Sequence, residues 1–179
     1  MNAFIRNLSL IVLGGLAGCQ LQPNEDSQMQ PSQPHMGGTL QPLYQSSFCG
    51  PAPSDDLSAV WLPDQASLDQ RWRRLSSQPL NPKPTPQLSS PRHTALLIYQ
   101  GNKPSAGYAL GLQDLKLRLT EQQGVIQLRL QQPQAGFATA AVMSSPCLLL
   151  ELPEGRYTEL QLLDQAGRPL TRLQRPGNQ

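Results

Sequence analysis

The sequence predicts a mainly β domain, an antiparallel β-sandwich or barrel-like fold with one short α-helix packed on it. Three observations predict this class. Leu115, Leu117 and Leu119 alternate with Lys116, Arg118 and Thr120, and beyond a glycine-containing turn Ile126, Leu128 and Leu130 alternate with Gln127, Arg129 and Gln131. A period of two on both sides of a turn marks a hairpin with one wet face. Two short apolar runs follow, Thr94–Tyr99, which is of buried-strand type, and Cys147–Leu152. Helical spacing appears where Leu68, Trp72 and Leu75 fall at i, i+4 and i+7.

Taken in order, the chain opens on an address. Met1 to Arg6 carry one positive charge, Leu8 to Ala17 form an apolar run too short to span a bilayer, and Leu16-Ala17-Gly18-Cys19 reads as a small-residue cleavage site. Cysteine at the position after cleavage is similar to a bacterial lipoprotein signal. Residues 1–18 are thus an expected signal peptide and Cys19 the expected lipidation site; the alternatives are an ordinary secretory signal with an incidental cysteine and a short uncleaved anchor. Acyl chains contribute about 0.8 kcal/mol per buried methylene, so several of them hold a globular domain on a membrane. Gln20, rather than Asp, follows Cys19. By resemblance to bacterial lipoproteins this points to the outer membrane, lipid-anchored, with the domain facing the periplasm. Removing residues 1–18 from 179 leaves 161, which suits one domain plus a tether. The formal charge of +2 falls to +1 as Arg6 leaves, too small a balance for a nucleic-acid footprint.

Residues 19–42 are rich in Gln, Pro, Ser and Gly and poor in large apolar side chains, so they are expected to form a disordered tether, with His35 solvated in it. The domain proper is expected over 43–174. Leu43–Gly50 reads as a first strand stopped by Gly50-Pro51, and Ala59–Leu62 as a second extended piece. Ser67 and Gln70 fit a capping box, predicting a helix over about 67–76. Arg71, Arg73 and Arg74 take its other faces, as a solvated surface or as a contact for lipid headgroups or an acidic partner. Pro79, Pro82, Pro84, Pro86 and Pro91 predict a stiff connector. After Thr94–Tyr99, a corner at Gly101–Gly107 leads to a strand at Tyr108–Leu112, and then to the hairpin. Ala135–Met143 is small and weakly alternating, and is expected to be a strand. Cys147–Leu152, Tyr157–Leu163 and Pro169–Leu173 follow as strands between Gly-containing turns, and 175–179 is expected to fray.

With Cys19 set aside, Cys49 and Cys147 remain. In an oxidising compartment an even pair reads as a disulfide; two buried thiols that never meet are the alternative. Neither a CxxC spacing nor neighbouring histidines accompany them, so no metal site is expected, and nothing implies a cofactor. The chain holds only two histidines, His35 and His93, and lacks GxSxG, HExxH, P-loop and GxGxxG patterns. Ser144-Ser145 has no base near it in sequence, which a serine nucleophile needs. An enzyme is not expected.

The order Gly101-Asn102-Lys103-Pro104-Ser105-Ala106-Gly107-Tyr108, then Pro133-Gln134-Ala135-Gly136, then Ser144-Ser145-Pro146, resembles the C-terminal domain of the protease-complex-subunit PrcB family. The likeness extends over about Leu43 to Pro153. It departs from the family pattern at Ser105-Ala106 and at Cys147, and Gly155–Gln179 is extra. The resemblance implies a β-rich accessory or scaffolding domain with a protein partner, a protease among the candidates. Lys103, Pro104, Gly107 and Tyr108 then form the candidate partner-binding loop. The loop 102–108 is also similar to the Asn-Pro-Thr-Thr-Gly-Tyr loop of chagasin-like cysteine-protease inhibitors, with 167–170 a faint counterpart of their Arg-Pro loop. That likeness implies an inhibitor whose two loops share one end of the sheet. Against both stands the simpler reading: Gly107 makes a tight corner and Tyr108 packs on the core.

Overall fold

The computed structural model describes residues 35–75, 83–120 and 122–177. Its elements are β1 (His35–Thr39), β2 (Gln41–Ser46), β3 (Ser58–Leu62), α1 (Gln65–Leu75), β4 (Thr94–Tyr99), β5 (Ala109–Leu112), β6 (Lys116–Thr120), β7 (Gln123–Gln131), β8 (Cys147–Leu152), β9 (Glu159–Leu163) and β10 (Pro169–Gln174). They make two sheets. One runs β1-β6-β7-β9-β10, with β5 also paired to β7; the other runs β2-β8-β4-β3. There is no closed barrel, so of the two expected forms the sandwich is the one present.

The core explains why the strands read as they do. Leu117, Ile126, Leu128, Leu160 and Leu162 of the first sheet face Leu96, Ile98, Leu148, Leu150 and Leu152 of the second. The second sheet has another apolar face, where Ala95, Leu97, Tyr99, Cys147 and Leu149 lie with Leu68 and Trp72 of α1. β4 and β8 are therefore covered on both sides and read as unbroken apolar runs. β6 and β7 have one wet face and alternate. Between β7 and β9 the chain crosses to the second sheet as β8 and returns, so β7 and β9 pair in parallel within an otherwise antiparallel set.

Four expectations change. The tether does not reach Pro42. His35–Thr39 pairs with β6 and Gln41–Ser46 with β8, so order begins by His35. Composition missed this because an edge strand contributes backbone hydrogen bonds rather than bulk. The room comes from Gly37, over which the Leu119 side chain lies, and Leu40, between the two strands, is a buried apolar anchor, 1% exposed. At the helix start, the Asp64 carboxylate, not Ser67, is the cap: its Oδ1 accepts the Ser67 N–H at 2.7 Å. That bond, with the Ser67 hydroxyl, lowers the pKa of Asp64. Asp64 wins because it stands directly before the first helical residue, Gln65, in the capping position. Ala135–Met143 is not a strand but an exposed, irregular segment, since its small residues have no facing partner strand to bury them. Finally, Arg175 does not fray. Its N–H donates to the Thr158 carbonyl at 2.7 Å and its Nη1 to the Gly155 carbonyl at 3.0 Å. The guanidinium lies 5.8 Å from the Trp61 ring and 5.9 Å from that of Tyr157. Burial pushes the Tyr157 phenol up to about 12, Arg175 opposing, while its hydroxyl donates to the Pro153 carbonyl at 2.6 Å. Cys19, Pro79, Pro82 and the tail positions 178–179 lie outside the described residues.

Candidate functional site

The corner after β4 is built on backbone. Gln100 donates its N–H to the Pro146 carbonyl at 2.8 Å, and Gly101 then takes φ +97. A Cβ at Gly101 would collide with the carbonyl of Asp55, so the corner lies against the 52–56 turn. Asn102 reads that turn like a template. Its Oδ1 accepts the Ala52 N–H at 2.9 Å, and its Nδ2 donates to the Asp55 carboxylate at 3.1 Å. Lys103 exchanges backbone bonds with Ser144 at 2.7 and 2.9 Å, while its Nζ donates to the Asp55 carbonyl at 3.1 Å. Ala106 N–H reaches the Ala140 carbonyl at 3.0 Å, and the Ser144 hydroxyl reaches the Ser105 carbonyl at 2.8 Å. Gly107, at φ +93, turns the chain beside the ring of Pro133 and delivers Tyr108 to the start of β5.

This corner forms one wall of a cleft of about 560 Å³. Lys103, Pro104 and Tyr108 line it, together with Asn102 and Gln100. The adjoining 55–57 turn adds to the rim, and Leu130, Gln132 and Leu170 complete the lining. Of the four candidate residues, three thus meet in one place, and Gly107 stands behind them as a bend. Leu170 brings β10 to the same cleft, so Tyr108 and Leu170 share it. Arg168 does not join them. Its N–H and its Nε bind the buried Asp164 carboxylate at 2.8 and 2.7 Å and close the β9–β10 turn. The Arg168 N–H is the chief reason why the Asp164 pKa is lowered.

Ser144 and Ser145 are structural. Ser145 donates its N–H to the Ser47 carbonyl at 3.1 Å, and its hydroxyl binds the Cys49 N–H at 3.2 Å and the Gly50 carbonyl. Beside them Cys49 and Cys147 form a disulfide, Cα atoms 6.0 Å apart. Among the described residues no cluster of His, Cys, Asp and Glu is arranged to hold a metal.

One polar cluster was missed. Glu151, on the buried strand β8, accepts from the Ser89 hydroxyl at 2.6 Å and from the Ser89 N–H at 2.8 Å, and meets His93 Nδ1 at 2.6 Å. Ser89 Oγ lies 3.2 Å from the same Nδ1. A serine–histidine–carboxylate relay uses both ring nitrogens, one for each neighbour. Here both contacts fall on one nitrogen, so the cluster pins the 89–93 connector to the sheet rather than relaying a proton. Burial raises the Glu151 pKa, but the hydrogen bonds from Ser89 and His93 outweigh it and the net shift is downward. A carboxylate depressed on folding contributes stability that is complete above its unfolded pKa, 4.5, and is lost as pH falls through the lower folded value. Urea midpoints from pH 7 to pH 3 are therefore expected to fall more steeply below pH 4.5 in the native chain than in Glu151→Gln. At neutral pH the variant is expected to be less stable by about 1.5–3 kcal/mol, the range for hydrogen bonds to a charged group. Parallel curves would remove this role.

The comparisons with known proteins fall on the same region. Residues 94–153 match the family PrcB C-terminal. The motif resemblance thus holds over these residues, beginning at Thr94 rather than Leu43 and ending, as expected, at Pro153. No curated protein and no solved structure matches the chain. The PrcB C-terminal match covers β4 to β8 and the whole corner. It takes in the paired centres of both sheets, β4–β8 and β6–β7, whereas β1, β2, β3, β9, β10 and α1 lie outside it. Leu57 and Leu170, which line the cleft, also lie outside the match.

Proposed function

We propose that this chain is a non-catalytic, outer-membrane lipoprotein whose β domain binds a protein partner as an accessory subunit of a protease complex. The PrcB C-terminal match carries the reading, because the matched segment includes the corner, and the candidate residues Lys103, Pro104 and Tyr108 line a cleft. Lipidation at Cys19 would hold the domain at the membrane, and residues 20–34 would give it reach.

Crosslinking and capture from cell envelopes tests this, with Tyr108→Ala and Gly107→Asp compared with the native chain and each checked for folding. Tyr108→Ala is expected to weaken capture of one dominant partner by about tenfold or more, as truncating a central aromatic does at interfaces. An unchanged partner set from folded variants would leave the corner structural. A Cys19→Ala chain is expected to lose acyl label and membrane fractionation together. The second reading, a chagasin-like inhibitor, is favoured by Tyr108 and Leu170 sharing one cleft. Inhibition of a papain-type protease, lost in Tyr108→Ala, would select it.

A further inference from the structure

The corner cleft carries chemistry of its own. Gln100 is 6% exposed and lies in its lining. Its Nε2 donates to the Gln131 carbonyl at 3.2 Å, which fixes the amide orientation, and its Oε1, itself covered, has no hydrogen-bond partner among the described residues. A buried acceptor without a donor is costly and rare, so a ligand N–H that reaches it as the lining yields has something to gain there.

The neighbouring backbone points to the same kind of ligand. β9 pairs with β7 only as far as Gln127, so on that side Leu128 to Gln131 have no partner strand among the described residues. The Leu130 N–H is capped instead by the exposed side chain of Gln165 at 3.2 Å. A strand edge held by a side-chain amide can accept an extended chain in its place. The rim is acidic. Asp55 and Asp56 are exposed, and the one cation in the lining, Lys103, is engaged by the Asp55 carbonyl. Leu57, Leu130 and Leu170 supply apolar contact.

We propose that this cleft binds an extended polypeptide segment with a basic and an apolar side chain, donating one backbone N–H to Gln100 Oε1. The inference rests on the protein-binding reading above and names the partner's chemistry.

The test is selection from a positional-scanning library of N-acetylated hexapeptide amides on the mature, full-length chain, followed by backbone N-methylation of the selected peptide. Lys or Arg is expected at one position and an aliphatic or aromatic residue close to it. Asp56→Asn is expected to weaken binding about two- to fivefold, the range for an exposed ion pair. N-methylation at a single position is expected to cost about tenfold, and that penalty should vanish in Gln100→Met. If Gln100→Met does not fold, the N-methyl scan on the native chain decides alone. Selection of acidic peptides, no selection at all, or tolerance of N-methylation everywhere would overturn the proposal. If capture of the envelope partner still depends on Tyr108 in that case, the protein-binding reading stands and only the peptide mode fails.

Discussion

Reducing the Cys49–Cys147 bond is expected to lower the thermal midpoint of the domain by about 10–20 °C. The bond closes a loop of 98 residues, and on the chain-entropy account a loop of that length is worth about 4–5 kcal/mol. For a domain of this size each kcal/mol moves the midpoint by about 2–4 °C. Position adds to length. Cys147 opens β8, in the middle of the second sheet, and is fully buried; Cys49 is 5% exposed beside the Ser145 bridge that leads to Lys103. Loss of the bond should therefore loosen the corner before the whole sandwich, and weaken partner capture at temperatures where the fold persists. Melts with and without reductant, on the native chain and on the Cys49→Ala/Cys147→Ala pair, check this. The native chain should fall to near the pair under reductant, and the pair should not respond. Coincident native curves would sink the prediction.

What the sequence made legible was whatever a single strand or helix reports about its own faces. The hairpin β6–β7, the doubly covered runs β4 and β8, and the Leu68–Trp72 stripe of α1 all carry their burial in their spacing. Partner choice is different, because it depends on which distant backbone arrives alongside. His35–Thr39 has the composition of a tether and becomes a strand only because β6 offers an edge and Gly37 leaves room for Leu119. Ala135–Met143 has a strand-like rhythm and, among the described residues, no partner strand to use it. Glu151 was nearer to being legible. An ionisable residue inside a run otherwise made of leucine has to find partners, and His93 is one of two histidines in the chain. The candidate site was legible as a corner, through its glycines and Tyr108, but not as a cleft. The rest of its lining comes from the 55–57 turn and from Leu170, which no local pattern ties to Pro104.

Gly101→Ala is expected to cost about 3 kcal/mol or more, although it adds one methyl group. Two terms combine. At φ +97 a non-glycine residue meets backbone strain of about 1–2 kcal/mol. Its Cβ also points into the carbonyl of Asp55, which is backbone and cannot rotate away as a side chain would, and overpacking of this kind typically costs about 1–3 kcal/mol. The terms separate by comparison with Gly136, which has φ +83 and nothing within 4 Å of where a Cβ would stand, so that Gly136→Ala meets strain alone. Urea midpoints of the two variants should differ by the collision term. The same collision predicts a functional consequence. Relief requires the 52–56 turn to move off Asn102 and Lys103, and that turn is the acidic rim of the cleft. Gly101→Ala should thus lose partner capture at temperatures well below its own melting, while Gly136→Ala keeps it. Equal losses of stability in the two variants would mean that the turn yields freely, and that the rim is not held where binding needs it.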